Sequence, residues 1–371
     1  MNQTTAAIEE TGPKGAGAVA AFEERLVNAL NEAGMLLMIS IGHRAGLLPA
    51  MAGAPPMDSE TLAARTGLSE RYIREWLGAM TAAGVVTMDP ERETYRLPAP
   101  HAALLTDSGE ANLGVYAQFI PMLGQVEDDV LHCFHHGGGV PYERYPRFQS
   151  IMAEDSGQTV LAALFDHILP LAPELPERLE SGMTALDVGC GQGRALLMMA
   201  ERFPHSQFTG YDLSAEAINW AREQARQKGL KNAHFEVCDL SDFDETANPG
   251  CFDLVTTFDA IHDQARPLAV LRGIRRTLAD DGIYLAQDIR AHSHHHDNVD
   301  HPLGTFLYSL SVMHCMTVSL AQGGEGLGTM WGREKALEYL RTAGFSDVEV
   351  HELEHDIQND YFICRAARVP S

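Results

Sequence analysis

Closely spaced cysteine pairs are missing from this sequence. Its six cysteines are scattered, and none of them forms a C-x-x-C pair. Cysteine-based zinc sites and disulfide frameworks both depend on close, repeated cysteine spacing. The pattern argues against both and favours reduced thiols, so we expect a cytoplasmic protein.

Positive charge is also scarce. The chain has 27 lysines and arginines against 51 aspartates and glutamates, which gives a formal net charge of −24. A field of that sign repels polyanions such as DNA and mildly attracts cationic small molecules. We therefore expect no nucleic-acid partner.

Long hydrophobic runs are few. The apolar run from Met35 to Ile41 is too short to span a bilayer. The first residues show no basic region followed by an apolar core, so we expect neither a secretory signal nor a membrane partner.

Composition and periodicity predict four regions. Residues 1–20 are rich in Ala, Gly and Thr and predict a disordered tail. Residues 21–105 contain a helical apolar pattern, two short helices and a two-stranded wing, which is typical of a winged helix. Residues 106–178 indicate a helical connector, and the remaining stretch, 179–371, alternates between strand and helix patterns.

The last region predicts an α/β fold. Strands alternating with helices imply parallel βαβ units with right-handed crossovers. The apolar runs predict strands at 185–188, 207–211, 234–238, 254–257, 283–287, 348–351 and 361–364.

A glycine-rich turn follows the first of these strands. The stretch ALDVGCGQGR places Asp187 at the strand end and Gly189, Gly191 and Gly193 before a helix. Glycines let a backbone turn tightly and approach a ligand, and ligands of such sheets bind at the carboxyl ends of the strands. This turn differs from a pyrophosphate-binding loop, because an acidic residue, Asp187, lies two places before its first glycine.

The next strands end in matching residues. Asp212 is placed to accept both ribose hydroxyls of a nucleoside. Asp239 is placed to accept the adenine amino group, with Leu240 against the ring, and Phe258 and Asp259 end the fourth strand.

Together these stretches resemble the successive motifs of class I S-adenosylmethionine-dependent methyltransferases. The resemblance covers about half the chain and implies a Rossmann-like sheet that is mostly parallel, with its last strand antiparallel. It implies S-adenosyl-L-methionine as cofactor, bound by Asp187, Gly189, Cys190, Gly191, Gly193, Asp212, Leu213, Asp239, Leu240 and Phe258.

A His-Asp pair follows the fourth strand. Small-molecule O-methyltransferases with an N-terminal winged helix carry such a pair there, and it includes their catalytic base. The resemblance implies His262 as the base at the pocket mouth, with Asp263 nearer to a structural role. Gln264 departs from the aromatic residue that often follows. Tyr142 and the histidines of the insertion at residues 288–332 are the other candidates for the base.

Residues 288–332 form a long insertion that we expect to cover the site, with the connector contributing to the acceptor pocket. It is rich in histidine, but consecutive histidines project in different directions, so we expect no metal site. The insertion also resembles a bacterial family of winged-helix methyltransferases that includes a mycobacterial regulator or methyltransferase.

Three functions stay open at this point. The first is methyl transfer to a hydroxyl of a small molecule, and the second is transfer to a small thiol or sulfide, which needs less help from a base. The third is a winged-helix transcription regulator that senses a metabolite. The apolar face of residues 22–41 predicts a homodimer built on the N-terminal region.

The regulator alternative makes a testable prediction. Residues 58–97 contain more acidic than basic residues, whereas DNA-binding winged helices usually concentrate positive charge. We expect no electrophoretic shift of duplex DNA at low salt, where phosphate contacts are strongest. A salt-sensitive shift at micromolar protein would contradict this expectation.

Overall fold

The computed structural model of the chain describes residues 13–108 and 111–365. The chain divides into two compact units, residues 1–121 and 122–371. Residues 1–12 of the predicted tail lie outside the described part. The prediction of a disordered tail is wrong for residues 13–20, which begin a long helix. Pro13 is tolerated in the first turn of a helix, and the alanines after it favour helix formation.

The N-terminal unit is a small helical domain with a hairpin. Its strands, β1 (Thr87–Asp89) and β2 (Thr94–Arg96), pair antiparallel and form the predicted wing. Its helices are α1 (Pro13–Arg44), α2 (Leu47–Met51), α3 (Ser59–Thr66), α4 (Glu70–Ala82) and α5 (Ala99–Leu105).

Trp76 organises the core of this unit. Its indole Nε1 donates to the Met38 carbonyl at 2.8 Å, which ties α4 to α1. A Cβ at Gly42 would lie 2.6 Å from the Trp76 ring, so glycine is required where the two helices approach. Leu62, Leu77 and Met80 are fully buried beside it.

Helices precede the sheet of the second unit. The short α6 (Phe119–Leu123) spans the boundary between the units. It is followed by α7 (Glu127–His136), α8 (Phe148–Ser156) and α9 (Leu175–Ser181), as the helical connector predicts.

A seven-stranded sheet forms the centre of the second unit. Its order is β5-β4-β3-β6-β7-β9-β8, and β9 runs antiparallel to both neighbours. The predicted mostly parallel sheet with an antiparallel last strand is confirmed. The strands are β3 (Thr184–Val188), β4 (Gln207–Asp212), β5 (Ala233–Val237), β6 (Phe252–Phe258), β7 (Leu278–Ile289), β8 (Asp347–Leu353) and β9 (Asp356–Arg365).

Both faces of the sheet are covered, which explains the nearly continuous apolar strands. Ala185 of β3 belongs to one hydrophobic core and Leu186, the next residue, to the other. Helices α10 (Arg194–Arg202) and α11 (Ala215–Lys228) contribute to the first core. The second core includes α12 (Phe243–Thr246), α13 (Pro267–Thr277) and α16 (Gly332–Thr342).

The insertion between β7 and α16 is largely helical. It contains α14 (Gly304–Leu310), a π-helical turn at Ser311–Cys315 and α15 (Met316–Ala321). The stretch Gly304–Ala321 is long and apolar enough to cross a membrane by length and composition. Half of it is buried inside the protein.

Candidate active site

A cavity of about 800 Å³ opens at the carboxyl ends of the parallel strands in the second unit. Ligands of doubly wound sheets bind at this edge. Nine of the ten residues predicted to bind the cofactor line the cavity: Asp187, Gly189, Cys190, Gly191, Asp212, Leu213, Asp239, Leu240 and Phe258.

Gly193 is the exception. It does not line the cavity, and a Cβ there would lie 2.2 Å from the Phe235 ring. Its φ is 64°, a left-handed conformation that glycine adopts without strain. Gly193 therefore serves the packing of the loop against β5.

The first two glycines shape the cavity edge. Gly189 has a φ of 72°, and a Cβ there would lie 2.5 Å from the Cβ of Ala260. Gly191 has a φ of 53° and places its backbone in the cavity wall. The turn leaves backbone at the surface of the cavity, as close approach to a ligand requires.

Asp212 fixes this turn from the end of β4. Its Oδ2 accepts a hydrogen bond from the Gly191 amide at 2.8 Å, and its Oδ1 accepts one from the Ser214 amide at 2.8 Å. Burial raises the pKa of Asp212, while these two amides oppose the rise.

Asp187 and Asp239 stand on either side of Asp212. Burial raises the pKa of Asp187 to about 7, although the hydroxyl of Thr256 donates to it at 2.8 Å. Asp239 accepts a hydrogen bond from the Ser241 amide at 2.9 Å. Three carboxylates at neighbouring strand ends give this part of the cavity an acidic lining, which suits a cationic ligand.

The other end of the cavity contains the predicted residues Tyr142 and Asp263. The Tyr142 hydroxyl donates a hydrogen bond to Asp263 Oδ2. Burial raises the pKa of Asp263 to about 6, while His262 and Tyr142 lower it. Burial and the Asp263 charge hold the pKa of Tyr142 well above its usual value, so its hydroxyl keeps its proton.

His262 lies behind this pair and does not line the cavity. The expectation of a histidine at the pocket mouth is wrong, because only 4% of the residue is exposed. Its Nδ1 is 2.8 Å from Asp288 Oδ1. Burial lowers its pKa, but the Asp288 carboxylate outweighs burial and raises it well above the usual value.

Sequence reasoning missed Asp288 and Trp331 as partners of His262. Asp288 Oδ1 also accepts from the Trp331 indole at 3.0 Å and from the Ile289 amide at 2.8 Å. The signal for Asp288 was its position near the end of the fifth strand. Nothing local marks Trp331, which comes 43 residues later.

Arg194 is a third residue that the sequence analysis missed. It lines the cavity, donates to the Ala153 carbonyl at 2.6 Å and lies over the Trp220 ring at 5.7 Å. Its position directly after the glycine turn could have indicated from the sequence that it lines the cavity. It supplies positive charge to a largely acidic cavity.

One group in the described part of the chain has metal-ligand spacing. Ligand atoms of Asp259, His262 and Asp288 lie within 4.8 Å of one another. The histidines at 292–296 are not part of it. The absence of a metal stays a prediction.

Two sequence profiles match the chain. One, described as "Methyltransferase domain", matches residues 179–344, and the other, described as "Rv2258c-like winged HTH domain", matches residues 33–107. The chain carries a class I methyltransferase domain. The expected enzyme class, its cofactor S-adenosylmethionine and the winged helix are thereby confirmed.

Solved structures share the fold of this methyltransferase. Mitomycin 7-O-methyltransferase matches with a TM-score of 0.69 and 19% identity over 95% of this chain and 100% of its own. Human N-acetylserotonin methyltransferase, solved with its cofactor, matches with a TM-score of 0.65 and 18% identity over 93% of this chain and 99% of its own.

Curated relatives match only about a third of the chain. The fatty-acid O-methyltransferase of Mycolicibacterium smegmatis is 30% identical over 109 residues, which are 29% of this chain and 38% of that protein. Matches to three other curated relatives cover 19% to 34% of their lengths. The chain therefore spans less than two fifths of the length of each of these relatives.

Asp212 offers a test of the cofactor site. The resemblance implies that Asp212 accepts the ribose hydroxyls, so replacing Asp212 with Ala should weaken binding of S-adenosylmethionine by roughly 1–3 kcal/mol. Calorimetry measures the change, and Asp242→Ala serves as control because Asp242 is exposed and outside the cavity. Unchanged affinity would remove Asp212 from the site.

Proposed function

We propose that the chain transfers the methyl group of S-adenosylmethionine to a hydroxyl group of a small-molecule acceptor. The observation that carries the proposal is the continuity of the cavity. The same cavity is lined by Asp212 and Asp239, which suit a nucleoside, and by the Tyr142–Asp263 pair, which suits a hydroxyl. The O-methyltransferases among the similar proteins support the same reaction.

The cofactor half of the cavity would hold S-adenosylmethionine. Asp212 would accept the ribose hydroxyls and Asp239 the adenine amino group, while the turn at Gly189 and Gly191 approaches the ligand with its backbone. The bound cofactor supplies a methyl group already activated by a sulfonium. The task of the protein is to position the acceptor and to exclude water.

A hydroxyl acceptor must lose its proton as it attacks, and Asp263 is the group that faces it. With a pKa of about 6, Asp263 is a carboxylate at neutral pH. Tyr142 engages Oδ2 and leaves Oδ1 to accept the proton of the acceptor. We therefore assign general base catalysis to Asp263 and hydrogen-bonded support to Tyr142.

His262 has a positioning role in this scheme. Its pairing with Asp288 favours the imidazolium, and a positive charge behind Asp263 favours the carboxylate form of that residue. An imidazolium has no lone pair for the proton of the acceptor. This proposal departs from the resemblance, which implied His262 as the base.

The dependence of the rate on pH distinguishes the role of Asp263 from that of His262. Asp263→Asn should lower kcat by about 10²–10⁴-fold at pH 7.5, the usual range for loss of a general base. In the unchanged enzyme the rate should fall as the pH drops through about 6, where Asp263 takes up its proton. His262→Gln should move that fall to higher pH, because the charge that lowers the pKa of Asp263 is lost.

Release of S-adenosylhomocysteine from a panel of phenols, small thiols and amines measures these rates between pH 5 and 9. Asp242→Asn, outside the cavity, is the matched carboxylate control. If His262→Gln abolishes turnover at every pH while Asp263→Asn retains it, the base is His262. If only thiols are methylated and Asp263→Asn does not change that rate, the acceptor is a thiol and the proposal of hydroxyl methylation is wrong.

We also propose that the protein is a homodimer built on α1. Residues 17–34 of this helix are exposed on every side. Five large apolar side chains share one broad stripe and expose 51% to 74% of their surface: Val19, Phe22, Leu26, Val27 and Leu30. Soluble proteins rarely leave such a stripe uncovered, and a second copy offers an identical stripe to cover it.

Sedimentation velocity tests this proposal. Leu30→Glu should convert a dimer to a monomer at micromolar concentration, because it places a charge in the middle of the apolar stripe. Asn28→Glu, which adds the same charge on the opposite side of the helix, should leave the dimer intact. A monomeric unchanged protein, or dissociation of both variants alike, would refute the stripe as the interface.

A further inference from the structure

His314 is a buried polar side chain that the scheme above does not use. It is fully buried, and neither ring nitrogen has a hydrogen-bond partner among the residues that the structure describes. A neutral imidazole contains one donor and one acceptor, and buried polar groups are nearly always paired. A histidine kept in such a position therefore points to a ligand.

The helix around His314 is irregular. The residue belongs to the π-helical turn Ser311–Cys315, which separates α14 from α15. Single π-helical turns interrupt α-helices frequently at functional sites. The irregular turn and the unpaired imidazole are two separate observations at one place.

Three aromatic rings separate His314 from the cavity. Phe148 stacks on the imidazole with ring centroids 3.8 Å apart and planes 17° apart. Tyr145 and Tyr142 meet it edge-on at 4.5 Å and 5.4 Å. All three rings line the cavity, so the imidazole lies one ring behind its wall.

Phe148 is the first residue of α8 and lies directly after a fixed segment. The segment before it is fixed to the insertion, because the Val140 amide donates to Thr317 Oγ1 at 2.9 Å and the Tyr145 hydroxyl donates to the Met313 carbonyl at 2.6 Å. Arg147 then has a φ of 68°, a conformation that residues with a side chain rarely adopt. Such strained residues cluster at ligand clamps and switches.

We propose that His314 is an acceptor-binding residue and that Phe148 is a gate in front of it. Rotation of Phe148 about Arg147 exposes the imidazole to the cavity. A planar ring of the acceptor then stacks where Phe148 stacked, and a ring nitrogen bonds a polar group of the acceptor. The stacked Phe148 shows that a flat ring fits on this face.

The chemistry of His314 fits binding rather than proton transfer. Burial and the nearby His262 lower the pKa of His314 to about 3. The imidazole is therefore neutral at physiological pH and offers both a donor and an acceptor. This division leaves proton transfer to Asp263.

The inference rests on the proposed function, and its test separates the two. We choose 1-naphthol as planar probe and its fully saturated analogue as matched control, titrated into protein saturated with S-adenosylhomocysteine. Binding of 1-naphthol should shift the His314 ring signals in the NMR spectrum. His314→Leu should weaken that binding about tenfold, the size expected for one lost hydrogen bond. The affinity for S-adenosylhomocysteine should stay within about twofold.

Two further variants complete the design. Phe148→Ala should tighten 1-naphthol binding several-fold. The Phe148 ring no longer competes for the face of His314, so a larger fraction of the protein has that face exposed to the cavity. His132→Leu, a change at an exposed histidine, should alter nothing. If His314→Leu does not fold, the Phe148→Ala result and the ring signals still decide the question.

The outcomes are distinct. If Phe148→Ala binds 1-naphthol more weakly or equally well, Phe148 is not a gate. If 1-naphthol does not shift the NMR ring signals of His314, His314 does not contact the acceptor. If the saturated analogue binds as tightly as 1-naphthol, the proposal that a planar ring of the acceptor stacks on His314 is wrong. Failure to bind S-adenosylhomocysteine at all overturns the proposed function itself.

Discussion

The two hydrogen bonds accepted by Asp212 hold the cofactor end of the site together. One carboxylate oxygen binds the Gly191 amide of the glycine turn, and the other binds the Ser214 amide at the start of α11. A single side chain thus fixes the loops that follow two neighbouring strands. Because a carboxylate has two oxygens with more than one lone pair each, Asp212 can hold both loops and still accept from a ligand.

Asp288 has the corresponding role at the acceptor end. Its Oδ1 collects three donors, from His262, Trp331 and the Ile289 amide. Buried polar groups need such partners, and a carboxylate in this environment stabilises a positive charge on its neighbour. The Asp288 carboxylate thereby raises the pKa of His262. Asp212 lines the cavity and Asp288 lies outside its lining, and each carboxylate is fixed by at least two hydrogen bonds.

The fold and the cofactor half could be predicted because their signals are local. The strand that ends in Asp187, the glycines after it, and the carboxylates at 212 and 239 follow from periodicity and from the common edge of parallel strands. The acceptor half could not be predicted in the same way. Whether His262 faces the cavity depends on Asp288 and Trp331, and Trp331 is 43 residues from Asp288 in the chain. The helix over residues 13–20 was missed because Pro13 and the glycines suggested a tail, although the alanines between them favour a helix.

The wall beside Tyr142 is built from two segments that belong to neither face of the sheet. Residues 140–145 and the insertion are joined by the Val140–Thr317 and Tyr145–Met313 hydrogen bonds, which bridge 177 and 168 positions of sequence. A Cβ at Gly139 would lie 1.9 Å from the Thr317 carbonyl oxygen, so the two segments must fit each other closely. Neither bond involves a residue of β3, β4 or β5. Such a wall can be redesigned as a pair, with both segments exchanged together, while the strands that carry the cofactor residues are left unchanged. For an engineer who wants another acceptor, the unit of replacement is this pair of segments, and exchanging only one of them would break the fit.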